Sequence, residues 1–490
     1  MKHFDLHCHP ALKTFLGSDK EADRDNCWEE ADVKGIWEVV DKLVGNILDS
    51  QSSLSQIENG NFGLIVAGLY SLEHPMIVGS IIGATNLQIL SKHVNELSQP
   101  LLQKMVEKDP GFGYNDILEG LKKHLLDSKD EGSTYQLLNK INELDPNKLN
   151  IILAIEGGHA LFNDLKNFTK DEILNNLDNF KTGPYRYLYL TLTHLATNPF
   201  CNQSYGMKLI NDKHFLPVGY GITELGYEVI NKALDQEIGN QIFIDIKHMS
   251  LKSRLQYYEL IKDKNPKVPI IISHAGVSGV SYNEKPIYNY RIEGEHVKAY
   301  YVKPDGLQGT EFNPWSINLY DEEIPVIIKS GGLIGMIMEQ RILGIGKVDP
   351  EYFSKAELDD NREIIHQNLN KYKNLYQIQK SKKHDDHAEK YFTSRYLRHL
   401  CNNILHIVKV GGKDAWKHIC FGTDYDGMIH ALRFSKSADK FVKVRRKLTR
   451  VLPQMAESDP DTNYYIENIE SQVDDILYYN GIRFLDVNFK

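Results

Sequence analysis

Residues 150–158 read NIILAIEGG, an aliphatic run that ends on a carboxylate, Glu156, followed by two glycines. The unbroken apolar stretch from Ile151 to Ile155 fits a strand buried on both faces, as in parallel sheets covered by helices. A carboxylate at the end of such a strand is costly to bury unless cations face it. The glycines after it read as backbone that turns tightly or approaches something closely.

The same ending recurs along the chain. HFDLHCH carries His7 and His9, FIDIKH carries His248, IIISHAG carries His274, and CFGTDYDG carries Asp424. In all, eight runs read as strands: 3–8, 62–70, 150–156, 187–193, 242–247, 268–273, 332–338 and 418–424. Between most of them lie stretches of helical period, such as Leu225, Val229, Ile230 and Leu234, or Leu255, Tyr258 and Ile261. Alternation of this kind predicts an α/β fold, and eight such units predict a (β/α)8 TIM barrel. The C-terminal strand ends of a barrel converge on one face, so six candidate ligands far apart in sequence are expected to meet there.

At 490 residues the chain is long for one barrel, and barrels grow by insertion. We read one domain over 1–490, with insertions at about 11–60, 72–148, 281–316 and 345–400. Residues 84–108 have the pattern of a long amphipathic helix. Residues 281–315 are rich in Tyr, Gly and Pro and are expected to form a lid loop over the pocket.

Composition narrows the class. Apolar and charged fractions of 41% and 25% are ordinary for a globular protein, and a net charge of -9 gives no case for a nucleic-acid partner. No apolar run is long enough to span a membrane, and the first residues lack the apolar core of a signal peptide. These features point to a cytoplasmic protein, with a removed leader left open. Five scattered cysteines fit a reducing compartment and exclude a CxxC zinc ribbon. The basic run from Lys440 to Arg450 has Phe441, Val444, Leu448 and Val451 at helical spacing, so it reads as a helix with a charged outer face. The cluster His384, Asp385, Asp386 and His387 reads as a solvated face of a polar insertion.

At i and i+2 in a strand, His7 and His9 point the same way and can grip one ion. Neutral imidazoles at His248 and His274 suit a borderline-soft ion such as zinc. Asp424 ends the eighth strand, next to the first in a closed barrel, and can reach the ion held by His7 and His9. Asp426, two residues farther into the turn, is the alternative. His194, at the end of LTLTH, stands outside the ligand set; a histidine near a metal can donate to an oxyanion.

These segments, with AIEGGHAL, YLYLTLTHLATNPF, the stretch from Gly221 to Ser250, and a weaker echo in ILYYNGIRFLDV, resemble the membrane (renal) dipeptidase family. This is peptidase family M19, within the amidohydrolase superfamily of metal-dependent hydrolases. The resemblance implies two Zn2+ ions bridged by Glu156 and by a water or hydroxide. His7, His9 and Asp424 would complete one site, and His248 and His274 the other. His194 would steady the reacting carbonyl, and Asp424 would take and pass on the proton. The implied function is hydrolysis of a small peptide-like amide, a dipeptide first among them, by attack of the bridging hydroxide. Members of the family often pair as dimers, so the resemblance leaves a homodimer open.

Two departures bear on this. The family has His-x-Asp where this chain has His7-Cys8-His9, which removes one negative charge from the site. The family's substrate-gripping arginine falls at Ile317, so Arg291 or Arg341 would have to hold a substrate carboxylate. The departures keep two alternatives open: an amidohydrolase-type enzyme acting on another amide, lactone or ester, and an inactive metal-binding scaffold.

Overall fold

The computed structural model describes residues 1–17, 26–30, 49–78, 113–128, 135–206, 213–264, 267–381 and 392–490. All eight expected strands form. They are β1 (His3–Cys8), β2 (Phe62–Tyr70), β4 (Leu149–Glu156), β5 (Tyr187–Thr191), β6 (Phe243–Asp245), β7 (Ile271–Ala275), β10 (Leu333–Met336) and β12 (Ile419–Phe421). The order in the sheet follows the chain, every pairing is parallel, and a short β3 (Tyr135–Leu137) lies beside the start of β4. The ring closes between its last and first strands: Cys8 bridges Tyr425 in parallel, the Asp424 amide donates to the His7 carbonyl at 2.9 Å, and the His9 amide donates to the Tyr425 carbonyl at 3.0 Å. This is the (β/α)8 barrel, with every residue of the eight strands buried.

The helices at Glu224–Leu234 and Leu251–Ile261 bury most of the apolar stripes read from sequence, Leu225 and Leu255 only partly, and each starts on a hydroxyl cap, Thr223 and Ser250. The helix Val444–Ala456 turns Val444, Leu448 and Val451 inward and leaves Arg446 and Arg450 exposed. The expected helix over 84–108 and the His384–His387 cluster lie outside the described residues. All five cysteines are free and buried. No helix among the described residues is long and apolar enough to cross a membrane.

The expected lid loop is ordered instead. Residues Ile287–Glu293 (β8) and His296–Tyr301 (β9) form an antiparallel hairpin, and Glu351–Ser354 (β11), from the insertion after β10, adds a third strand. The physical reason is a period-two pattern, most regular in β9, flanking a two-residue turn at Gly294 and Glu295, with Gly294 at φ +67. The long helix Lys355–Ser381 packs against this sheet.

One buried ion pair ties the segment carrying Ile317 to the helix that follows β6. Arg254, 1% exposed, donates to Glu323 through Nε at 2.6 Å and a terminal nitrogen at 2.8 Å. It also donates to the carbonyls of Met249, Ser316 and Asn318. Removing one partner strands the other charge in the interior. Glu323→Ala should therefore lower unfolding stability by about 3–5 kcal/mol. Urea denaturation reads the loss; a change below ~1 kcal/mol would contradict a buried, uncompensated guanidinium.

Candidate metal centre

The strand ends bring the six expected ligands together. Glu156 Oε1 lies 3.2 Å from His7 Nε2, and Glu156 Oε2 lies 3.3 Å from His9 Nε2. The two Nε2 atoms are 3.1 Å apart, and Asp424 Oδ1 is 3.8 Å from His7 and 3.5 Å from His9. A tetrahedral ion with bonds of ~2.0–2.2 Å holds its donors about 3.3–3.6 Å apart; His7, His9 and Glu156 come near that spacing, and Asp424 lies slightly farther out. On the other side, Glu156 Oε1 is 3.7 Å from His248 Nε2 and 3.9 Å from His274 Nε2. Asp424 Oδ2 reaches to 3.8 Å of His274 Nε2. Three groups of donors mutually within 4.8 Å result: His7, His9 and Glu156; His7, His274 and Asp424; Glu156, His248 and His274.

Hydrogen bonds behind the rings orient them. Tyr189 donates its hydroxyl to the Leu6 carbonyl, so it accepts from His7 Nδ1–H at 2.6 Å. His9 Nδ1–H donates to the Gly68 carbonyl at 2.9 Å. Ser273 donates to Asp245, so its oxygen accepts from His274 Nδ1–H at 2.8 Å. Each of these three rings thereby turns Nε2 toward the pocket, the arrangement metal-ligating histidines use. Both ring nitrogens of buried His248 lack a hydrogen-bond partner among the described residues. A buried imidazole in that state fits a ligand better than a structural group.

The backbone bends to make the site. His248 has φ +66 and Asp424 has φ +61, a left-handed conformation that costs non-glycine residues energy and clusters at functional sites. Gly68 leaves room for two rings, since a Cβ there would meet His7 Cε1 at 2.9 Å and His9 Cε1 at 3.1 Å. Gly157, at φ +96, turns the chain immediately after Glu156.

Burial and neighbouring charges move the imidazoles in opposite directions: burial opposes charge on His9, yet Glu156 and Asp424 push it up to about 9. Burial opposes ionisation of Glu156, but His7, His194 and His9 outweigh it and hold the carboxyl well below its usual range. Burial, then the neighbouring His194, pushes His248 down to about 3, and burial with His7 holds His274 low as well. Both stay neutral and can offer lone pairs. Burial opposes charge on His194 too, yet Glu73 and Glu156 raise it.

The choice between Asp424 and Asp426 is decided by contacts. Asp426 accepts from the amides of Gln51 and Ser52 and from the Ser52 hydroxyl, which ties the loop before β2 to the turn. Asp424 alone of the two faces the imidazoles. His194 Nε2 lies 3.6 Å from Glu156 Oε1, outside the three donor groups. Arg341 lies on the same face, its guanidinium 5.1 Å from the Trp315 ring and donating to the Gly206 carbonyl at 3.1 Å. Arg291 is exposed on β8.

Sequence reasoning missed four buried residues here. Asp5 accepts from the amides of His7 and Thr423 and from the Thr423 hydroxyl, which pins the backbone beside His7 and Asp424. Asp245 does the same on the far side, accepting from the amides of Lys247 and Ser273 and from the Thr191 and Ser273 hydroxyls. The other two are Glu73, which bonds His194, and Lys247, whose Nζ has no hydrogen-bond partner among the described residues and which burial pulls down to about 8. The available signal was position: Asp5 and Asp245 interrupt strands two or three residues before a ligand.

No family model matches the chain, and no curated protein matches it by sequence. Solved structures do match by shape. One is dipeptidase AC, a metallopeptidase of family M19, at 13% identity and TM-score 0.54, covering 100% of this chain and 99% of that one. A metallopeptidase from Rhodobacter sphaeroides, liganded with a phosphinate mimic of the dipeptide L-Ala-D-Ala, matches at 13% and 0.53, covering 100% and 99%. The probable dipeptidase PvdM from Pseudomonas aeruginosa matches at 14% and 0.52, covering 99% and 95%. At these identities the likeness is one of fold, and it extends over the whole chain: this protein has the barrel fold of the M19 metallo-dipeptidases.

Proposed function

We propose that the chain is a binuclear zinc hydrolase of the membrane dipeptidase type, cleaving a small peptide-like amide, a dipeptide first among candidates. The observation that carries this reading is a single buried carboxylate, Glu156, on which the Nε2 atoms of five imidazoles converge, His194 among them. Likeness to dipeptidase folds supports it. Divalent ions held by these residues would supply Lewis acidity and a water acidified to pKa ~7.

The remaining work falls to the chain. Asp424, with one oxygen toward His7 and His9 and the other toward His274, is placed to accept a proton and pass it to the leaving amine. His194 Nε2 faces the same pocket and would donate to the oxygen that gains charge. A substrate carboxylate would fall to Arg341, because a side chain at Gly206, its hydrogen-bond partner, would touch Ile317. Arg341 thus stands near the position where the family's arginine is missing. A second copy of the chain is proposed from the family habit alone.

A second reading, hydrolysis of a lactone, ester or other amide, is favoured by Ile317, an apolar buried side chain where a cation would be expected. One experiment separates the two. Zinc-loaded protein is assayed on dipeptides with free and with amidated C-termini, in wild type and Arg341→Ala. The free carboxylate should raise kcat/KM by ~10-fold or more in the wild type, and the variant should lose that preference. Equal rates would dismiss carboxylate recognition and turn the search to esters and lactones.

A further inference from the structure

Glu73 lies three residues beyond the end of β2, in LYSLE, and is 2% exposed. Four donors converge on its carboxylate. Oε1 accepts from the amides of Leu195 at 3.0 Å and Ala196 at 2.7 Å, and Oε2 accepts from Tyr70 Oη at 2.7 Å and from His194 Nδ1–H at 2.9 Å. Three of these donors belong to one stretch, 194–196, that leaves the end of β5. The carboxylate therefore joins the loops after two barrel strands that are not neighbours, since β4 lies between them. No Lys or Arg pairs with it among the described residues; the cation-capable group in contact is His194. Burying a carboxylate for loop anchoring alone is costly, because neutral side chains can cap two amides without that penalty.

We propose that Glu73 is the positioning residue for His194. Its Oε2 holds the ring by Nδ1–H, and Oε1 fixes the backbone on which the ring is mounted. The plane and tilt of the imidazole are set from behind, and Nε2 is left directed toward Glu156 and the space where a carbonyl would react. This rests on the role given to His194 in the proposed hydrolysis. Glu73 itself touches neither the donor groups nor that space, so it acts through His194.

The arrangement makes a specific claim about one nitrogen. A carboxylate can only accept, so His194 Nδ1 carries a proton. E73Q keeps the shape, and the amide oxygen can still accept from Leu195 and Ala196. The amide nitrogen then faces His194 and donates, so Nδ1 must become an acceptor.

The test uses metal-free full-length protein labelled with 15N-histidine, with the His194 signals assigned by their loss in H194A. Nδ1 should be protonated in the wild type and in E73D, and unprotonated in E73Q. Zinc content after reconstitution should be the same in all three. On a hydrolysed substrate, E73Q should lower kcat about tenfold with KM within about twofold, the size of losing charge assistance on one hydrogen bond. In an H194A background E73Q should have no further effect. An unchanged Nδ1 in E73Q, or a kcat loss that persists undiminished in H194A, would overturn the proposal. If the wild type hydrolyses nothing, the functional reading fails by itself and the nitrogen signal alone decides the role of Glu73.

Discussion

Glu156→Gln should empty at least one cation position. The substitution preserves size, but a carboxylate offers acceptors on both sides while an amide offers one acceptor and one donor. Both Glu156 oxygens are used: Oε1 faces His7, His248 and His274, and Oε2 faces His9. Whichever way the amide sits, its NH2 points at a nitrogen that should be meeting an ion. Loss of an outer partner costs metal sites ~10–100-fold in affinity, and loss of the shared inner charge should exceed that. Elemental analysis after purification without added metal gives the stoichiometry. Full zinc content in Glu156→Gln would refute the bridging role.

His194→Ala should retain zinc and lose about 10²–10³ in turnover, the range for removing one oxyanion donor. Distance alone does not separate this residue from the ligands, because His194 Nε2 is 3.6 Å from Glu156 Oε1 and His248 Nε2 is 3.7 Å. Grouping does: His194 Nε2 falls outside the three sets of mutually close donors, which take in all six candidate ligands. Glu73 holds its ring at Nδ1, and Nε2 faces the space beside Glu156. Zinc lost along with activity would move His194 into the ligand shell.

Much of this candidate site was legible because each candidate ligand ends a run of apolar residues, and a parallel barrel turns such endings into neighbours. The eight strands were found for the same reason, with bounds up to three residues off. The sequence was silent where function depends on what a loop residue touches. Glu73 follows Tyr70-Ser71-Leu72, with nothing nearby to show that it meets His194 across the barrel mouth. Position favoured Asp424 and kept Asp426 as the alternative; the contacts of Asp426 with Gln51 and Ser52 are what the sequence could not show. The β8–β9 hairpin was read as a loop because the stretch around it, 281–315, is rich in Tyr, Gly and Pro. The alternation in HVKAYY, buried at Val297, Ala299 and Tyr301, was the better guide.

The direct test is anomalous diffraction at the zinc edge from crystals of zinc-loaded protein. Two ordered peaks are expected, roughly 3.5–4 Å apart. One should lie among His7, His9, Glu156 and Asp424, and the other among Glu156, His248 and His274. Zinc bound elsewhere, or no ordered ion beside Glu156 at full loading, would contradict the account.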